Sequence, residues 1–259
     1  MNRFYLLLIF IVFVFSRQAF AQVKFGIKAG GNLSTIKFDI DKSYGTAYVS
    51  KFKGGFHVGI ITDISLLENT LSLQPALLYS KKGCSIDYEK TMEEFFKYYG
   101  LNLDVSNYKG YFVINYNYIE VPINFVYKKS GFQILAGPYF VIGLSGSSKQ
   151  DFSYEVFGKE YDSEDFFDKK SYTLKPVFGK FEYDELEMYL DKFNTDGLFR
   201  AFDFGINFGV GYQLNKVLFN VNYSLGLVNC VPKFTDETIP VIDIRKNRVL
   251  NFSVSYFFN

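Results

Sequence analysis

Between Ala201 and Leu214 large apolar and small or polar residues alternate without a break. Phe202, Phe204, Ile206, Phe208, Val210, Tyr212 and Leu214 take one set of positions, and Ala201, Asp203, Gly205, Asn207, Gly209, Gly211 and Gln213 the other. A period of two over this length dictates a strand and excludes a helix. The exposed face of a water-soluble sandwich is usually rich in Lys, Glu and Thr. Here the polar face is Gly, Asn, Asp and Gln, small groups suited to a cramped interior. The pattern predicts an inside-out barrel, apolar towards lipid and polar towards an enclosed lumen.

Seven further segments repeat the pattern. They are VKFGIKAGGNLS from Val23, FHVGIITDI from Phe56, LSLQPALLYS from Leu71, YIEVPINFVY from Tyr118, FQILAGPYFVIGL from Phe132, VLFNVNYSLGL from Val217 and RVLNFSVSYFF from Arg248. Each is long enough to cross a bilayer as a tilted strand. Three connections are short: Ser65 to Thr70, the turn Lys128-Lys129-Ser130-Gly131, and Asn215-Lys216. Four are long, about residues 35–55, 81–115, 146–200 and 229–247. The expected fold is all-β, an eight-stranded antiparallel transmembrane β-barrel. Its long loops are extracellular, and its short turns and both termini are periplasmic. Eight strands enclose a lumen that side chains can fill, so a solute-conducting pore is not expected.

Composition supports this. The 259 residues include 31 Phe, 21 Tyr and no Trp, 20% aromatic overall, and aromatics favour strands and form the girdles of membrane barrels. A formal net charge of +1 and the absence of a recognisable motif argue against nucleic acid as a partner. Asn2 and Arg3, the apolar run Tyr5 to Phe15 and the small-x-small site Ala19-Phe20-Ala21 predict a secretory signal peptide over 1–21, leaving a mature barrel over 22–259. No later apolar run is long enough to span as a helix, so membrane crossing falls to strands.

With its strands laid out, the chain resembles the PorT-like outer-membrane β-barrel proteins of Gram-negative bacteria, often labelled "porin family". The resemblance is carried by GIKAGGNLSTI at Gly26, GFHVGIITDISLLENTLSLQPALLYSKKG at Gly55, YIEVPINFVYK at Tyr118, GFQILAGPYFVIGLSG at Gly131, DFGINFGVGYQL at Asp203 and the strand after Asn247. It covers nearly every strand and leaves out the long loops. Such barrels commonly end on an aromatic residue, whereas this chain ends Phe257-Phe258-Asn259. The resemblance implies an integral outer-membrane location. It also implies a non-enzymatic structural or interaction role, accessory to protein secretion, with outer-membrane lipid and envelope or secretion proteins as partners at the loops or periplasmic rim.

Parity places Lys24, Lys28, His57, Asp63, Glu120 and Asp203 inside the barrel, where an unpaired charge is costly. A lumenal network is therefore expected, with Glu120 held by Lys28 or Lys24. His57 is the sole histidine. In an outer-leaflet lipid-modifying enzyme it would serve as general base, but no Ser or acid at suitable spacing completes a triad. A narrow channel is the other alternative. No catalytic, cofactor-binding or metal-binding set is assigned; Cys and His spacing fits no metal motif, and the acidic stretches fit no EF-hand. Cys84 and Cys230 fall beyond the outer ends of their strands in an oxidising compartment, which allows a bridge across the mouth. Between Gln150 and Leu198 thirteen Asp and Glu meet six Lys. Apolar spacing there predicts a short amphipathic helix over Tyr183 to Phe193, with a similar piece from Thr91. These pieces are expected to cap the mouth or to form a docking surface.

Overall fold

The computed structural model describes residues 23–40, 48–68, 70–101, 106–165, 170–181, 198–234 and 243–258. The predicted signal peptide and the helix expected over 183–193 lie outside these residues. Eight long strands carry the fold: β1 (Val23–Ile40), β2 (Lys53–Leu67), β3 (Leu71–Ile86), β4 (Ser106–Lys129), β5 (Phe132–Val156), β6 (Phe202–Leu214), β7 (Val217–Gly226) and β8 (Asp243–Phe257). Each pairs antiparallel with the next in sequence, and β8 returns to β1 with Gly26 opposite Phe257 and Ile40 opposite Asp243. The ring is closed, so neither edge is left unpaired. The protein is an eight-stranded antiparallel transmembrane β-barrel.

At one rim the strands turn tightly. Ser130 and Gly131 have φ of 49° and 84°, and Asn215 has 52°, the left-handed conformations that two-residue hairpins of matching twist require. Thr70 N–H donates to Leu67 O at 3.0 Å to close the third turn. All long connections leave from the opposite rim.

The alternation seen in β6 has the orientation its side chains predicted. Phe204 and Phe208 are each 49% exposed, and Phe252 45%, while Asn207, Asn251 and Ser253 are buried. Around the ring Phe25, Ile27, Ile60, Leu77, Phe125, Ile134, Phe140 and Val254 complete an outward apolar belt. On β5 the belt runs from Phe132 to Leu144, and at ~3.3 Å per residue and a tilt of about 40° it stands about 30 Å high, enough for a hydrocarbon layer.

Above the belt the two faces exchange character. On β1 the outward positions change from Leu33 to Thr35, Lys37 and Asp39, while the inward ones change from Asn32 and Ser34 to Ile36 and Phe38. On β5, beyond Leu144, Ser147, Lys149 and Asp151 face out and Phe152 and Tyr154 face in. The strands thus continue into segments expected as loop, over 35–40, 81–86, 106–115 and 146–156. They do so because period two persists after the solvent outside changes from lipid to water. The result is a water-facing cap with an ordinary apolar core, built on Ile36, Cys84, Ile86, Tyr88, Phe112, Tyr116, Phe152 and Phe199.

The helical piece expected from Thr91 is present as α1 (Tyr88–Tyr98). Asp87 caps it, accepting from Lys90 N–H at 3.5 Å and from Lys51 Nζ at 2.8 Å. Tyr88 anchors the helix in the cap, its ring stacked on Phe152 with centroids 4.1 Å apart.

Candidate functional site

The lumen is organised in layers, whose order follows from strand register. Lys24 lies opposite Asp63, Gly26 opposite Ile61, Lys28 opposite Gly59 and Gly30 opposite His57.

The lowest layer opens on the short-turn rim as a vestibule of about 700 Å³. Asp63 pairs there with Lys128 and accepts from Gln74 Nε2 at 3.3 Å. A ladder of amides continues across the strands, from Gln74 Nε2 to Gln133 Oε1 at 3.4 Å and from Gln133 Nε2 to Gln213 Oε1 at 2.9 Å. Lys24 lines this vestibule, well below Glu120, so of the two partners named for Glu120 it is not available.

Above the vestibule comes an apolar collar of Ile61, Ala76, Leu78, Leu218 and Phe257, all buried.

The central layer is polar and nearly full. Glu120 Oε2 meets Lys82 Nζ at 2.6 Å, with side chains 7% and 2% exposed, and Lys82 also stands over the Tyr139 ring at 5.2 Å. The partner of Glu120 is therefore Lys82 rather than Lys28. Lys28 lines the same small cavity, about 20 Å³, together with His57, Asn124, Asn207 and Asn222. That space accommodates about one water molecule. Lys82 escapes a sequence reading that ends the third strand at Ser80. Its signal is there, since extending parity from Leu78 through Ser80 points Lys82 inward.

His57 Nδ1 is 2.7 Å from Asn32 Oδ1. The Asn32 amide donates in turn to Ser80 Oγ at 3.2 Å and to the carbonyls of Phe56 and Lys81, each at 3.1 Å. His57 Nε2 is buried and has no partner among the described residues. Gly30 makes room for this ring, since a Cβ there would stand 2.7 Å from His57 Cε1. With His57 only 4% exposed and enclosed by the barrel wall, a general base reaching lipid at the outer rim is not formed.

The upper layer holds Asp203 against Asn247, whose amide donates to Asp203 Oδ2 at 2.9 Å and to Cys230 Sγ at 3.3 Å. Cys230 and Cys84 are both free and buried, so the bridge expected between them is not made. Each thiol has its own buried surroundings instead: Cys84 packs in the cap core, and Cys230 takes up the spare amide proton of Asn247. Burial pushes the Cys84 thiol up to about 12, and moves that of Cys230 in the same direction.

The arrangement is a stoppered barrel. Polar layers cross-link facing strands, the collar separates the vestibule from the central cavity, and the cap core closes the top.

A search of curated proteins gives no match. Among solved structures, Ail, the attachment invasion locus protein of Yersinia pestis, in complex with the heparin analogue sucrose octasulfate, aligns over 91% of this chain and 99% of its own at 13% identity, TM-score 0.37. Neisserial surface protein A aligns over 90% and 97% at 11% identity, TM-score 0.37. The Pseudomonas putida toluene transporter TodX aligns over 91% and 90% at 10% identity, TM-score 0.20. The profile of the outer membrane protein beta-barrel domain matches residues 17–231, most of the chain. With lipid-facing Phe and Ile outside, a sealed polar lumen and that match, the chain belongs to the outer membrane protein beta-barrel domain family.

Proposed function

We infer that this outer-membrane protein is a non-enzymatic interaction scaffold, whose cap above the membrane docks an envelope or secretion partner. The single observation that carries this reading is the cap. β4 and β5 run 24 and 25 residues, far more than a crossing requires, and the excess is packed around its own apolar core. A segment that only linked strands would have no need of such a core. α1 and the strand ends above it offer exposed aromatics, Phe95, Tyr98, Tyr99 and Phe157 among them, on a rigid support. The lumenal charges serve as cross-links that hold the barrel shut, with Lys82 and Glu120 the central pair. The PorT-like resemblance makes an accessory part in protein export the specific role.

The test compares the exported proteins of a strain lacking this chain with those of the parent and of complemented strains. Export should fall in the deletion strain, return with the wild-type gene, and stay low when α1 is replaced by a Gly-Ser linker while the barrel still folds. Unchanged export would overturn the secretion role. A linker variant that restores export fully would remove the cap as the docking element.

A further inference from the structure

Just above the apolar belt, the outward face of β8 and β1 changes from hydrocarbon to cations within one pair of residues. Leu33 lies opposite Leu250, Thr35 opposite Arg248, and Lys37 opposite Lys246. All six are on the outward set of positions, continuous below with Phe252 and Val254. Like charges directly opposite on a strand pair repel, so the Lys37 and Lys246 pairing calls for an anion between them. Asp39 meets only part of that need: its carboxylate is 3.6 Å from Lys37 Nζ, and both side chains are more than 60% exposed. Among the described residues Lys246 and Arg248 have no acidic partner.

Arg248 is already held in place. Its Nη1 donates to Gly226 O at 2.8 Å and Asn247 O at 2.9 Å, which leaves donors on its other nitrogens. Leu225 lies opposite it on β7, and Leu227 just beyond is 40% exposed. The guanidinium therefore sits at the height where acyl chains end. Two residues along a tilted strand amount to about 5 Å of height, so Lys37 and Lys246 come one step above it, at the level of a lipid head group. The opposite wall has no such feature. At the corresponding height β4 and β5 present Asn117 and Ser145, bonded to each other at 2.9 Å. Lys81 on the outward face of β3 stands opposite Asn117, so what sets β8 and β1 apart is three cations grouped together.

We propose that Lys37, Lys246 and Arg248 bind the phosphorylated sugar head group of an outer-leaflet glycolipid, with its acyl chains lying on Leu33, Leu250 and Phe252. A phosphate between Lys37 and Lys246 relieves their repulsion, while the guanidinium takes a second acceptor on the same head group.

The test is native mass spectrometry of the full mature chain in detergent, titrated with bis-phosphorylated lipid A and with the same lipid dephosphorylated, in the presence of EDTA. The phosphorylated lipid should bind the wild type much more tightly. K37Q/K246Q/R248Q should lower that affinity roughly a hundredfold, to the level of the dephosphorylated lipid. K97Q/K129Q/K159Q, which removes the same charge from exposed positions elsewhere, should change it by less than about threefold. Folding of each variant is checked by its heat-dependent mobility shift in SDS gels. Equal binding of the two lipids to wild type would overturn the proposal whatever the variants do. So would full affinity in the first triple variant, or an equal loss in the second.

Discussion

Lys82→Met tests the interior most directly. In the wild type its ammonium is 2.6 Å from the Glu120 carboxylate, both nearly inaccessible, and 5.2 Å from the Tyr139 ring centre. Methionine fills most of the volume but leaves the carboxylate buried with its contact partner gone. Breaking a buried ion pair in this way costs about 3–5 kcal/mol. Lys28 lines the same cavity and supplies some compensating charge, so the lower end applies, about 3 kcal/mol. Lys82→Met/Glu120→Gln removes the stranded charge with its partner, and should fall within about 2 kcal/mol of wild type. The two sites are then coupled by at least about 1 kcal/mol.

The assay is urea unfolding of the mature chain in lipid vesicles. It is followed by far-UV circular dichroism, because the chain has no Trp to report by fluorescence. A single-variant cost under about 1 kcal/mol, or strictly additive effects, would put Lys82 in water and refute the layered interior.

Phe208→Arg, in the middle of the lipid-facing belt, should cost about 2–4 kcal/mol in that assay, whereas Phe95→Arg on the exposed face of α1 should cost under about 0.5. Gly205→Ala should lower the folded yield and cost about 1–3 kcal/mol, since its Cβ would meet the Leu225 carbonyl and come within 2.6 Å of the Tyr139 ring. Cys84 should resist maleimide at pH 8 in the folded barrel and react once the chain is unfolded in urea, because burial lifts its thiol from 9.0 to about 12. The sign for stability is that the unfolded chain loses this proton above pH 9 while the folded chain keeps it. The contribution of Cys84 therefore falls by about 1.4 kcal/mol per pH unit from 9 towards 12, a loss that Cys84→Ala should abolish.

The strands and their orientation were legible because lipid imposes one rule on every outward position of the belt. Phe204, Phe208 and Phe252 could only be outside once the facing set was Gly, Asn and Ser. The cap was less legible, since the same rule reverses where water begins. Lys37 and Asp39 on outward positions of β1 then look like the start of a loop, although Ile36 and Phe38, each the residue before one of them, keep the period of two. Lys82 was lost to that reversal. The pairing of Glu120 needed three-dimensional register, because Lys24, Lys28 and Lys82 all satisfy parity: Lys24 lies lower, in the vestibule, and of the two cations beside Glu120 it is Lys82 that makes the contact. The cysteines misled for a related reason: both stand above the belt as a bridge would need, but each is occupied by neighbours that linear spacing does not reveal.

The exchange of faces also separates a cross-linked interior from an exposed cap. Below the exchange, the Lys82 and Glu120 pair and the ladder of Gln74, Gln133 and Gln213 tie facing strands together, so opening the lumen would break that pair and several amide bonds together. Each such loss is of the order of 1–3 kcal/mol, and together they are comparable to the whole stability of a domain. Above the exchange, aromatic and charged groups stand free on a framework that holds them still. The docking proposed for the cap and the lipid site proposed for the cationic strip both lie outside that cross-linked interior, so either can be altered without breaking the Lys82 and Glu120 pair.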